Sequence, residues 1–459
     1  MKTFIFNVSV VLFLAVAATT ASGACRVITP TGSGNNSGSD WSNACQGFSG
    51  NCAVSSLVRG DTYYIAKGTY GGQTFNKPAS GSMPITIKSP TAGEHCSDTG
   101  FSATAHVGQA VFNGSTIIDS DFWIIDGQYG TEFSKGSYGI KFKWGGGNAD
   151  SLYCRNGCGD STFRYIEIQG SNYANSYCDE GMLVNGYNHP GSPTSNILID
   201  RAYSYQSGNN FKINSARNVI LQNSILDENY SNANCHGENI ASNDSSLTVR
   251  HNTIKDCAGT ACMATPCAYC GTSQFEIYGN VFLKTQSGPC VANGGGSGSP
   301  DCLSSIFRNL GNNITSLKIY NNTFTGFAAS LMSSGSTTAV WVNSSGTTSN
   351  SDFKNNLFYN NGPIQLGNGS SCAANAYYST IRDSAACAGD QIAGSVNPLV
   401  NATSDFHLRV DTSPWSALPF PYNVDGDGLT RSSSRGAFQF AGGSTSPVNP
   451  PTALSAIVK

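Results

Sequence analysis

The sequence predicts an all-β solenoid of the parallel β-helix type. Three observations carry that prediction: a strand phrase that repeats, an asparagine that recurs inside it, and a neutral, glycine-rich composition. The phrase is eight residues long with apolar residues at alternate positions, the period-two signature of a strand with one buried face. It runs from Val219 to Leu226, Leu247 to Ile254, Phe275 to Phe282, Leu317 to Phe324 and Ser351 to Phe358, with a looser copy from Ile197 to Ser204. Successive starts fall 22, 28, 28, 42 and 34 residues apart, so strands of constant length alternate with loops of varying length. One copy cannot bury its apolar face alone, but stacked copies can, each strand parallel to its counterpart one coil below. The sixth position reads Ser224, Asn252, Asn280, Asn322 and Asn356. An asparagine at the same bend of every coil can bond the asparagines above and below it in a ladder. With coils about 4.8 Å apart, roughly a dozen of them make a rod on the order of 55–60 Å long.

Composition agrees and excludes other classes. Of 459 residues 52 are Gly and only 12% are charged, which rules out coiled coils and other charge-rich long helices. With 25 Lys+Arg against 28 Asp+Glu, the formal net charge of −3 leaves no positive excess for phosphate backbones, so no nucleic-acid partner is expected. Hydrophobic residues at 39%, of which aromatics supply 10% of the chain, suffice for a sizeable core.

The domain reading has three parts. Residues 1–24 have the layout of a signal peptide: Lys2, an apolar run from Val10 to Ala18, then small residues to Ala24. Residues 25–441 form the β-helix domain, and residues 442–459 are a Gly/Ser/Pro-rich tail. Loss of Lys2 with the signal takes the formal charge from −3 to −4. No later segment is long and apolar enough to span a bilayer, so the expectation is a secreted, extracellular, monomeric protein with no membrane partner.

All 16 cysteines follow residue 24, and an even number in an exported chain reads as disulfides. Proximity in sequence suggests Cys25 with Cys45 or Cys52, Cys154 or Cys158 with Cys178, and Cys372 with Cys387. Cys235, Cys257, Cys262, Cys267, Cys270, Cys290 and Cys302 crowd one stretch. Cys267-Ala-Tyr-Cys270 lacks the second CxxC or the nearby histidine that a zinc site needs.

Two stretches then point to a family. Gly32 to Trp41, Gly60 to Tyr70, Pro84-Ile-Thr-Ile-Lys88 and Trp123-Ile-Ile-Asp-Gly127 look like the opening coils of right-handed parallel β-helix proteins of the pectate-lyase-like superfamily. Asn397-Pro-Leu399, Asp405-Phe-His-Leu408 and Gly436-Ala-Phe-Gln-Phe440 are similar to its closing coil. The resemblance covers residues 25–440 and implies a right-handed, disulfide-stapled β-helix acting on a polysaccharide. It leaves the reaction open, because the fold hosts lyases, hydrolases, esterases and inert adhesins.

The resemblance also implies a sugar-binding sheet. Positions two and four of the phrase face outward if one and three face the core. Position four supplies Asp200, Gln222, Arg250, Tyr278, Tyr320 and Lys354, so Tyr278 and Tyr320 are candidate stacking platforms for sugar rings. The densest titratable set is Lys212, Asp227, Glu228, His236, Glu238, Arg250, His251, Lys255 and Asp256. A polysaccharide lyase needs a base for the proton α to a uronate carboxylate, and positive charge to neutralise that carboxylate. Lys212, Arg250 and Lys255 can serve as base or neutraliser and His236 as base or acid, while Glu238 with Asp256 can hold Ca²⁺. A glycoside hydrolase needs instead two carboxylates, one protonated, drawn from Asp227, Glu238 and Asp256. The polygalacturonase pattern is absent: Gly208-Asn-Asn210 stands where paired aspartates are expected, and Cys235-His236-Gly237 only echoes its Gly-His-Gly. Asn423-Val-Asp-Gly-Asp-Gly428 opens like an EF-hand loop, yet its twelfth position is Ser434, so it reads as a turn of the closing coil. The leading expectation is a uronate lyase. The alternatives are a glycoside hydrolase and a non-catalytic polysaccharide-binding protein.

Overall fold

The structure is a computed structural model describing residues 23–130, 133–147, 149–156, 158–172, 179–187, 193–230, 237–259, 261–266, 271–285, 305–328, 338–367, 371–382, 387–413 and 415–440. The expected signal peptide and tail therefore lie almost wholly outside the described residues. Those residues contain one short α-helix, Ala103–His106, and are otherwise strands, turns and three 3₁₀ turns. All strands but a closing antiparallel pair, Leu399–Asn401 with Asp405–Leu408, belong to one parallel stack.

Each coil contributes to three sheets. Sheet I holds Glu180–Asn185, Asn209–Asn214, Ile240–Asn243 and Ala261–Pro266, paired in that order. Sheet II holds the repeated phrase, through Ala216–Gln222, Ser246–Arg250 and Thr272–Tyr278. Sheet III holds the phrase's last residues, in Ile225–Asp227, Thr253–Lys255 and Val281–Leu283. Long strands such as Thr194–Tyr205 run through sheets II and III with a corner between them. This is the right-handed parallel β-helix expected.

Register pairs the copies position by position. Val219 lies beside Leu247, Leu247 beside Phe275, Phe275 beside Leu317, and Leu317 beside Ser351, so even the 42-residue step joins adjacent coils. Positions one and three are buried, as Leu247, Val249, Phe275, Ile277, Leu317 and Ile319 show. Inside the tube Phe282, Phe324, Phe358 and Tyr377 stack face to face, with centroids 5.0, 5.0 and 5.1 Å apart. That spacing is the coil repeat itself, so ring packing and strand pairing reinforce each other.

The predicted asparagine ladder is present at the corner between sheets II and III. The backbone N–H of Ser224 donates to Asn252 Oδ1, that of Asn252 to Asn280, that of Asn280 to Asn322, that of Asn322 to Asn356, and that of Asn356 to Asn375, over 2.9–3.1 Å. Each asparagine follows a residue in the left-handed region: His251 (φ 56°), Gly279 (66°), Asn321 (53°), Asn355 (56°) and Ala374 (54°). The chain turns there, freeing amides that the ladder recaptures.

Disulfides depart from sequence proximity. Cys25 bonds Cys96, with Cα atoms 5.6 Å apart across 71 residues, while Cys45 bonds Cys52. Cys154 bonds Cys158 and not Cys178, which lies outside the described residues. Coil stacking brings Cys25 to a cysteine that lies five strands further along the chain, which sequence spacing cannot show. Cys372–Cys387 forms as expected, and Cys257–Cys262 is a further bridge.

Candidate active site

The strongest charge cluster among the described residues projects from sheet I. Lys212 is flanked in register by Leu183 on one side and Ala241 on the other. Its neighbours in sequence, Phe211 and Ile213, point into the core, so strand alternation sends Lys212 outward. Lys212 Nζ lies 2.5 Å from Glu180 Oε1, and Asp150 and Glu238 add their negative charge. Burial alone would push the ammonium down, but the three carboxylates prevail and hold its pKa above the ordinary lysine value.

The carboxylates are built into successive coils. Asp150 lies in the loop before Leu152–Cys154, and its Oδ1 accepts the N–H of Glu180 at 3.2 Å. Burial first, then the Glu180 charge and the hydrogen bond that the protonated Asp150 donates to it, push the Asp150 carboxyl up to about 8. Glu180 opens its strand beside Asp179, whose carboxylate is fixed by Ser171 N–H and Oγ, Gly208 N–H and Tyr230 Oη. Asn209 bridges the two glutamates: its Oδ1 accepts from Glu238 N–H at 2.9 Å, and its Nδ2 donates to Glu180 Oε1 at 3.5 Å. Glu180 and Glu238 are both buried, each 5% exposed, whereas the Lys212 side chain retains 28% exposure. A perturbed acid beside a cation reachable from solvent is the arrangement of an acid–base site.

The other sequence candidates are placed elsewhere. Arg250 is on sheet II, where its guanidinium donates to Gln222 Oε1 at 2.6 and 2.8 Å and to Tyr278 Oη at 3.0 Å. Lys255 is on sheet III, paired with Asp227 at 2.7 Å. His236 lies outside the described residues. Tyr278 and Tyr320 are adjacent, but only 1% and 6% exposed. Tyr422 packs edge-on against both rings at 5.0 and 5.1 Å, donates to Glu276 and accepts from Lys318, so the closing segment occupies the face a sugar would need. The two tyrosines are therefore packing residues of a strap across sheet II.

Of the expected Ca²⁺ pair, Glu238 stands among the sheet I carboxyl groups around Lys212 and Asp256 directly follows the sheet III strand Thr253–Lys255. Both Asp256 oxygens accept from Thr285, one from its N–H and one from its hydroxyl, each at 2.6 Å. Among the described residues no three His, Cys, Asp or Glu side chains converge as a metal site. In the EF-hand-like turn the Asp425 carboxylate accepts from the N–H groups of Asp427, Leu429 and Gln439, consistent with a turn of the closing segment.

Asp150 and Glu180 were not among the sequence candidates, although a signal for them exists. Asn185, Asn214 and Asn243 end their sheet I strands 29 residues apart and pair in register. Aligning on them would have set Glu180 beside Asn209.

No protein-family model matches the chain, and no curated protein matches it in sequence. Among solved structures, the pectate lyase Pel9A is 16% identical over 73% of this chain and 80% of its own, with a TM-score of 0.43. The alginate lyase AlyGC of the PL6 family is 12% identical, TM-score 0.39, over 88% of this chain, which spans 58% of that protein. A pectin methylesterase from Aspergillus niger is 10% identical over 86% of this chain and 92% of its own, with a TM-score of 0.27. These are likenesses of the coiled parallel stack, and no residue correspondence follows from them.

Proposed function

We propose that this chain is a secreted polysaccharide lyase that cleaves a uronate-containing glycan by β-elimination at the sheet I cluster, with Lys212 as the base. The supporting observation is Lys212 itself, directed outward among Asp150, Glu180 and Glu238. In the reaction Lys212 Nζ takes the proton α to the uronate carboxylate. The released electron pair forms a carbon–carbon double bond, the glycosidic C–O bond at the β position breaks, and the leaving oxygen is protonated. Because the carboxylates keep Lys212 protonated at rest, the rate rises with pH as the ammonium gives up its proton.

A specific observation favours a second reading, glycoside hydrolysis. Asp150, pushed up to about 8, keeps its proton at neutral pH and can serve as the acid; its hydrogen-bonded partner Glu180 is too close to be the second carboxyl group, a role that falls to Glu238. The cluster's net negative charge also suits a neutral glycan better than an anionic one. One experiment separates these readings: the purified protein is incubated with pectate, alginate, chondroitin, ulvan and neutral glucans, following ultraviolet absorbance and reducing ends together. New absorbance from an unsaturated uronate supports the lyase. Reducing ends without absorbance move the assignment to hydrolysis, and neither signal leaves a polysaccharide-binding protein.

A further inference from the structure

The lyase reading uses Lys212 but gives no role to Asp150, whose charge acts on Lys212 beside that of Glu180. Asp150 Oδ1 accepts the Glu180 N–H at 3.2 Å, and Glu180 Oε1 lies 2.5 Å from Lys212 Nζ. We propose that Asp150 is a positioning residue whose carboxyl, held against Glu180, sets by its charge the pH at which Lys212 can accept a proton. This rests on the reading of Lys212 as the base, but the coupling itself is a property of the three side chains.

Among the described residues, the charges that act on the pair are these. Asp150 meets Glu180 and Lys212, and Lys212 meets Glu180, Asp150 and Glu238. While Asp150 is protonated, Lys212 is held by two carboxylates. Once Asp150 ionises, a third negative charge holds the same ammonium, so the lysine yields its proton only at a higher pH. The proton inventory balances, because each step transfers one proton to solvent, first from Asp150 and then from Lys212. Asp150 thereby places the alkaline limb of the rate profile.

The test reads the lysine directly. The full-length protein is labelled by reductive ¹³C-methylation of its lysines, the Lys212 signal is assigned by its loss in Lys212→Arg, and its titration is followed by NMR. In Asp150→Asn the titration should move down by about one unit, as expected for removal of a nearby opposite charge. Asp150→Glu, which keeps the charge, should titrate like the parent. Should Asp150→Asn fail to fold, as judged by circular dichroism, Asp150→Ser makes the same comparison. An unmoved Lys212 titration in a folded neutral variant overturns the proposal. If the titration moves and no glycan is cleaved, the coupling stands and the lyase reading falls. If cleavage occurs, the rising limb of kcat/KM should move down with the NMR titration.

Discussion

At the corner between sheets II and III each asparagine amide meets its partners one coil up and one coil down, whereas on sheet I three carboxyl groups from successive coils crowd around one half-buried ammonium. Both are polar stacks in a solenoid, and the difference is what each leaves unmet. Asn280 accepts from Asn252 and donates to Asn322 Oδ1, Val249 O and Tyr278 O, so its hydrogen-bonding capacity is met inside the tube. The sheet I cluster instead holds three carboxylates against one lysine. Uniform repetition gives stability, and the break in repetition concentrates charge that a ligand can answer.

The largest expected effect follows from that contrast. Lys212→Met should lower kcat/KM per folded molecule by roughly 10²–10⁴-fold, the range for loss of a general base, and should also lower the urea midpoint because buried Glu180 loses its ion-pair partner. Loss of folding with no catalytic defect in the remaining native fraction would place Lys212 on the structural side of the comparison.

Asn280→Ala should lower stability alone. It leaves the buried N–H of Asn252 and the carbonyl of Val249 without partners, at about 1–3 kcal/mol each, so a loss near 3 kcal/mol in urea unfolding is expected. Activity per folded molecule should be unchanged. A loss below about 1 kcal/mol would mean that water replaces the ladder, and the corner would no longer be the stabilising region.

These effects differ in legibility as well as size. The ladder was readable because a corner asparagine occupies the same position of every phrase, and the strand alternation around it is strict. The site was half readable: Lys212 and Glu238 were drawn in by their charge, but so were Arg250 and Lys255. Those two point from other faces of the tube, where Arg250 is hydrogen-bonded to the uncharged Gln222 and Tyr278 and Lys255 is paired with Asp227. Asp150 was hidden in a loop far from Glu238 in sequence, and only stacking unites them. The tyrosines failed for another reason: Tyr422, more than 100 residues away from Tyr320 in the chain, covers the face their spacing seemed to expose.

A smaller effect probes the corner by pH. His251 occupies a left-handed position there, half-buried, and desolvation followed by the charges of Arg250 and Arg431 lowers its pKa to about 3. The unfolded chain binds this proton first, near 6.5, so the contribution to stability is complete above that value and is lost as pH falls toward 3. Between pH 6.5 and 5 the loss is ~2 kcal/mol at most. His251→Asn keeps a residue that tolerates positive φ and cannot titrate. Its urea midpoint should therefore fall less than the parent's between pH 7 and 5, and equal falls would show that carboxylates alone govern acid sensitivity.

The smallest effect decides which face is the site. Arg250 is outward on sheet II and had the same chemical credentials as Lys212, but its guanidinium is spent on Gln222 and Tyr278 within the stack. Arg250→Met should keep the alkyl packing and lose those hydrogen bonds, costing about 1 kcal/mol of stability. Its kcat/KM should stay within about twofold of the parent, the span of a change of ~0.5 kcal/mol. A hundredfold fall with an intact fold would carry the chemistry from sheet I to sheet II, where only displacement of the Tyr422 strap would admit a sugar. The weak effect is thus the sharpest discriminator: it asks whether charge reveals a site by being present, or only by being left over once the neighbouring coils have been satisfied.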